Sequence, residues 1–440
     1  MRSWKTDKLL QVWTCLLIVI SSVTTDAARV SRKRHRQDGL ATQQKMYMNQ
    51  AHMQFTLDVL STLLIDNFSP QTRHVESFAF SPLSVQSTLM MVQLGAKGAT
   101  HSEITNALYL GQLDNGNATF STAHELYGQA VKSLVEDTNV KPALAIANQI
   151  FVQKDLIPTS TYELGLRHYH MARLRPIDFG SLDTPPNINE WVEKETKGMI
   201  KNFIVASPSP ATLLMAVNAL YYKGDWQFKF NPLDTEREAR FQLLNGKTTS
   251  VPMMVGKLPI GFAYSDALNT TIIELPYKVP RLGLFLLLPD QVTGIFALMR
   301  SLNSSSFTAL IASMRKQGKE GVNVRLPKFE VNSTPRMTNI LRNNLGVRAL
   351  FSSGEADLSG MFLNSPGVAH VDDFLHKVVF KIDEKGTVGA AATATVVERV
   401  GSFSGSYFEA DHPFMYFLTD KQTGLILFAG IYAGPSSLRS

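Results

Sequence analysis

The sequence predicts a single large α+β domain. Helical periodicities dominate its first third, β-rich runs dominate the rest, and no break in composition separates them. The chain has 440 residues, 44% of them hydrophobic and 18% charged. The charged share is below the usual quarter of a globular protein. A chain of this length buries most of its apolar surface and needs no disulfides.

The elements follow in order. Gln44 to Phe68 carries apolar residues at Phe55, Val59, Leu60, Leu63 and Leu64, the spacing of one buried helical face. Ser81-Pro82 opens a second apolar helix, and Thr100-His-Ser-Glu103 reads as a capping box before a third. ALAIANQIFVQ, TLLMAVNALYY, TTIIELPY and RLGLFLLLPD are predicted strands, with a helix over Asn187 to Ile200 among them. FMYFLTDKQTGLILFAGIY predicts a hairpin turning at Asp420 to Gly424. The folded domain is expected over residues 43–435.

The N-terminus reads as a signal peptide over residues 1–27. Arg2, Lys5 and Lys8 precede the apolar run LLQVWTCLLIVISSV, and Thr25 and Ala27 are the small residues before a cut. The run is shorter than the roughly 20 residues a spanning helix needs. The expectation is a secreted, extracellular protein with no membrane segment. The only cysteine, Cys15, lies inside that run, so the mature chain would have no disulfide or thiolate chemistry. Asn67, Asn117, Asn269, Asn303 and Asn332 head glycosylation sequons.

Residues 28–42 form a basic, flexible arm. The stretch Arg29 to Arg36 carries five Lys or Arg, Arg32, Lys33, Arg34 and Arg36 among them, and no acid, while outside it and the leader basic and acidic residues balance. The bland reading is a solvated tail. The sharper ones are a heparin-like polyanion contact or a processing site.

Motifs for catalysis fail on inspection. Gly246-Lys247-Thr248 mimics the end of a P-loop, but Phe241 stands at its first glycine. In GSFSG, Phe403 replaces the serine of a nucleophile elbow. His168 and His170 could share one strand face but lack a third ligand. No enzyme activity, cofactor, metal or nucleic-acid partner is expected.

The informative stretch is IDEKGTVGAAATATV, Ile382 to Val396. Glu384, Lys385, Gly386 and Thr387 have the composition of a hinge. Val388, Gly389, Ala390, Ala391, Ala392 and Thr393 follow with no charge, no proline and no side chain larger than valine. In an extended strand Thr387, Gly389, Ala391, Thr393, Thr395 and Val397 would share a face small enough to lie over a packed core. Each residue could also donate its N–H to a ladder. The bland alternative is a flexible linker.

This stretch resembles the hinge and reactive-centre loop of the serpin family. FAFSPLSVQSTLMMVQLGAKGAT, WVEKETKGMIKNFI, the block Asn218 to Trp226, Val251-Pro-Met-Met254 and Asp411-His-Pro-Phe414 resemble further family segments, in family order. The resemblance implies three β-sheets, about eight or nine helices and an exposed loop over about 384–412. It implies a monomeric inhibitor whose partner is a serine protease and which acts as a suicide substrate. A non-inhibitory carrier, chaperone or storage protein of the same fold is the alternative. Counting from the hinge places the reactive bond at Val400-Gly401, which suits an elastase-like protease. A shift of one residue gives Arg399-Val400, which suits a trypsin-like one. Two positions depart from the family: Ser77 replaces an asparagine, and Val388 replaces a common acid.

Overall fold

The computed structural model describes residues 39–113, 121–364, 369–387 and 405–435. The chain divides into two compact units, residues 1–48 and 49–440. In the first, residues 39–48 are helical, so the helix begins inside the segment expected as an arm. Arg32, Lys33, Arg34, Arg36 and the signal-like segment lie outside the described residues.

The second unit opens with a helix over 49–66 whose Phe55, Val59, Leu60, Leu63 and Leu64 are all buried, as their spacing requires. The helix Pro82–Gln93 is buried along its whole length. Ser81 caps it by accepting from the Ser84 N–H at 3.1 Å, and Pro82 at the first turn needs no N–H partner. The third helix, Gly98–Ala107, begins before the expected capping box. Thr100 lies inside it and accepts instead from the Asp357 N–H. Glu103 accepts from the N–H groups of Arg348 and Ala349. Tertiary partners have taken both side chains from the predicted cap.

Three sheets form among the described residues. The seven-stranded one runs Arg175–Ile177, Leu144–Gln153, Leu214–Tyr222, Val371–Ile382, Gly386–Thr387, Gly224–Asp225, with Phe329–Ser333 also paired to Val371–Ile382. Leu214–Tyr222 is buried at every position. The helix Thr184–Glu195 packs Ile188 and Val192 on one of its faces, against Met215, Val217 and Ala219. The helix Pro82–Gln93 lies against the same strand. A strand covered on both faces reads as continuous apolar sequence.

A nine-stranded sheet holds the predicted hairpin, Phe414–Asp420 with Ile426–Tyr432, closed by Gly424 at φ 79°. Aromatic rings fill the space between the two large sheets: Phe329 stacks on Tyr432 at 4.4 Å and Phe380 on Tyr416 at 4.8 Å. Phe68–Ser69 and His74–Val75 form the third, two-stranded sheet.

His168 and His170 lie on the helix Ser160–His170, not on a strand. They point apart: His170 Nε2 meets His124 Nδ1 at 3.0 Å, while His168 approaches Glu125 at 3.4 Å. Among the described residues no group of three ligand side chains could hold a metal.

Candidate functional site

The site is built where Val371–Ile382 ends. Its burial alternates as a strand between two layers requires. Beyond Ile382 the chain reverses at once. Asp383 donates its N–H to the Gly386 carbonyl at 2.9 Å, and its carboxylate accepts from the N–H groups of Lys385 and Gly386. Gly386 takes φ 155°, and a Cβ there would stand 1.9 Å from the Gly224 carbonyl oxygen. Only glycine makes this turn.

The reversed chain pairs Thr387 with Ile382 on one side and with Gly224 on the other. Lower down, Val371–Ile382 and Leu214–Tyr222 pair directly and in parallel, through Val378 opposite Leu220. Gly386 and Thr387 thus occupy the upper end of a gap between two strands that is shut below.

Several residues far away in sequence hold this corner. Trp226 donates its indole N–H to the Asp383 carbonyl at 2.9 Å and its backbone N–H to the Lys385 carbonyl at 2.8 Å. Tyr277 stacks on Trp226 at 4.6 Å, and its hydroxyl lies 2.6 Å from Thr387 Oγ1, all three residues being buried. Burial pushes the Tyr277 phenol well above its ordinary range, so it stays neutral. The buried Glu384 accepts from Lys328 Nζ and Thr235 Oγ1, each at 3.0 Å. Burial alone would raise the Glu384 carboxyl. Hydrogen bonds from its own N–H, Lys328 and Thr235, with the Lys328 charge, outweigh that and hold it below its ordinary range.

Within the parallel pair, His376 stands opposite Asn218. Its Nε2 accepts from the Ser81 N–H at 2.9 Å, so the proton of the neutral ring sits on Nδ1. Burial drives this imidazole to about 3. Ser77 bonds neither group: its hydroxyl donates to the Gly434 carbonyl and accepts from the Ala433 N–H, tying down the C-terminal segment.

Among the predicted hinge residues, Glu384, Lys385, Gly386 and Thr387 come together here. Val388, Gly389, Ala390, Ala391, Ala392, Thr393 and the candidate bond residues Arg399, Val400 and Gly401 lie outside the described residues. The chain returns at Tyr407–Glu409, parallel to Lys319–Pro327. Past it, His412 contacts the Asp411 carboxylate at 2.7 Å and the Pro289 carbonyl at 2.6 Å.

Sequence reasoning missed Thr235, Tyr277 and Lys328, which carry no local signal. Trp226 closes the quoted block from Asn218 and was within reach.

The sequon asparagines are scattered. Asn303 caps the helix Ser304–Gln317, accepting from the Ser306 N–H at 2.9 Å. Asn67 donates to the Leu63 carbonyl, Asn332 lies on Phe329–Ser333, and Asn269 takes φ 44°. Asn117 is outside the described residues.

Comparison with known proteins agrees with this geometry. The model of the serpin (serine protease inhibitor) family matches residues 50–435. Human Serpin B11 is 31% identical over 405 residues, spanning 88% of this chain and 99% of that protein. Mouse leukocyte elastase inhibitor A is 30% identical, with the same two coverages. The solved structure of a tumour suppressing serpin superposes with a TM-score of 0.75 at 26% identity, over 89% of this chain and all of that one. These relatives point to an intracellular protein and correct the expectation of secretion.

Proposed function

This chain belongs to the serpin family, and on that premise we propose that it inhibits serine proteases as a suicide substrate. The parallel pairing of Leu214–Tyr222 with Val371–Ile382, capped by the reversed strand at Gly386–Thr387, carries this reading. A chain that turns back after Ile382 runs antiparallel to Val371–Ile382. Because the two strands are parallel to each other, it runs antiparallel to Leu214–Tyr222 as well. Entering between them, it exchanges one parallel ladder for two antiparallel ones, which pair slightly better per residue. The small side chains from Gly389 to Ala392 would offer little bulk to resist that entry.

In the proposed sequence a protease serine attacks the carbonyl carbon of Val400. The peptide bond to Gly401 breaks, its nitrogen takes a proton and leaves, and an ester joins the loop to the enzyme. The freed loop then zips into the sheet from Thr387 downwards and carries the tethered protease with it. Inhibition is a race between insertion and hydrolysis of the ester, so the uncut state is held kinetically. The hinge count favours Val400-Gly401 and an elastase-like target. Arg399-Val400 and a trypsin-like target are the alternative. Arg32, Lys33, Arg34 and Arg36 are the candidate contact for a heparin-like polyanion.

The test is incubation with elastase-like and trypsin-like proteases, followed by boiling in SDS. A surviving complex, with the released fragment beginning at Gly401, is expected. Cleavage without a complex, and without a rise in thermal stability, would sink inhibition in favour of a non-inhibitory role.

A further inference from the structure

A cavity opens at an edge of the seven-stranded sheet that no described strand covers. The strand Arg175–Ile177 pairs only with Phe151, Val152 and Gln153, so residues 144–150 of the neighbouring strand have no described strand beside them on that edge. The helix Thr122–Val135 and the end of the helix Ser160–His170 border the opening. Gly128 brings the two helices close, since a Cβ there would meet the Tyr169 carbonyl oxygen at 2.2 Å. A cavity of about 630 Å³ remains. Sites for small ligands span about 300–1,000 Å³. None of the described hinge residues lines it.

The cavity has two chemically distinct parts. Met91, Val131, Leu144, Ile146, Tyr169 and Trp191 line it with apolar and aromatic surface. Asn148 also lines it, and its Oδ1 is buried without a partner among the described residues. Asn148 stands opposite Asn218, which stands opposite His376, so the three share one sheet face. Both side-chain amide atoms of Asn218 are likewise buried without a partner among the described residues. Buried polar atoms normally find partners, so an acceptor facing a cavity calls for a donor inside it.

The rim is basic. Lys141, Arg173 and Arg175 are exposed there, and Glu195 is the one acid among the described lining residues. The Arg175 guanidinium is placed 6.0 Å from the Phe151 ring and 5.9 Å from that of Trp191. His170 adds no charge, because burial and the neighbouring His124 keep its ring neutral.

We propose that this cavity binds a small amphipathic carboxylate. Its apolar body lies between the helix Thr122–Val135 and the strand Leu144–Gln153, its carboxylate meets Arg173 and Arg175, and an N–H or O–H of the ligand donates to Asn148 Oδ1. No described residue of the loop or hinge lines the cavity, so the proposal stands apart from the reading as a protease inhibitor.

The test is calorimetric titration of the full chain, without protease, with indole-3-acetate. This probe joins an aromatic body, one N–H donor and a carboxylate. A dissociation constant on the order of 100 µM is expected for so small a ligand. Indole-3-acetamide, which lacks the charge, should bind at least ~10-fold more weakly, as one lost charge-assisted contact implies. Replacing the ring N–H by N-methyl should weaken binding several-fold. The double variant Arg173→Glu/Arg175→Glu changes exposed side chains and should weaken binding at least ~10-fold. Val131→Trp, which fills the cavity, should abolish it. Absence of binding, equal binding of the amide, or binding unchanged in both variants overturns the proposal. Because no protease is present, none of these outcomes bears on inhibition.

Discussion

The hydroxyls of Thr387 and Tyr277 lie 2.6 Å apart in a fully buried hydrogen bond, 110 residues apart in sequence. This contact fixes the first residue of the small-side-chain run inside the sheet. Tyr277→Phe leaves Thr387 Oγ1 without its partner and should cost about 1–2 kcal/mol. Thr387→Val should cost about as much. The double variant should cost clearly less than the sum, since the contact is lost only once. Urea unfolding of the four proteins measures this; additive losses would show that the two hydroxyls do not interact.

Gly386 cannot carry a side chain. At φ 155°, with the Gly224 carbonyl oxygen 1.9 Å from where a Cβ would stand, Gly386→Ala combines backbone strain with a clash against main chain. The expected loss is about 3 kcal/mol or more. Gly111→Ala, which meets nothing within 4 Å, serves as the control. Equal melting temperatures for the two variants would contradict the turn described.

A proline in the run separates cleavage from trapping. Ala391→Pro removes one N–H and fixes φ, which a strand inside a sheet tolerates poorly. The variant should be cut at an unchanged rate while its yield of SDS-stable complex falls at least ~10-fold, because slower insertion leaves hydrolysis to win the race. An unchanged yield would mean that Ala391 does not enter the sheet.

Two buried histidines make the fold sensitive to mild acid. His52 donates to the Gln86 side chain and accepts the Ile426 N–H at 2.8 Å, and burial lowers its ring to about 4 despite these bonds. His376 is lowered to about 3. Both remain neutral in the fold at a pH where the unfolded chain binds protons. Stability is therefore full above about 6.5 and falls as pH drops towards these values. At pH 5 each should remove about 2 kcal/mol relative to pH 7. His412 works in the opposite sense. Burial lowers it, but hydrogen bonds to Asp411 and the Pro289 carbonyl, with nearby acid charge, raise it on balance, so its contribution fades as pH rises. Urea midpoints from pH 7 to pH 5 check the net slope, and His52→Gln should flatten it. A midpoint that does not move would refute the two neutral rings.

Much of the fold was legible because its signals are local. The alternation in Val371–Ile382, the apolar run of Leu214–Tyr222 and the helical spacing from Phe55 to Leu64 each report burial within a few residues. The misreadings have a common cause. Thr100 and Glu103 have the residue types of a cap, but distant backbone groups claim them. His168 and His170 alternate as in a strand, but both stand on a helix.

Local sequence was enough to single out one stretch as a candidate hinge: one glycine followed by small residues that neither block a sheet nor lack a donor. Where its first residues pair was a matter for the folded chain. Folding set Thr387 between Ile382 and Gly224, assigned Tyr277, Thr235 and Lys328 to hold the corner, and left a cavity at an uncovered strand edge. Periodicity and side-chain size are properties of neighbours along the chain. Which distant residues meet depends on how strands and helices close around one core, and no local pattern encodes that.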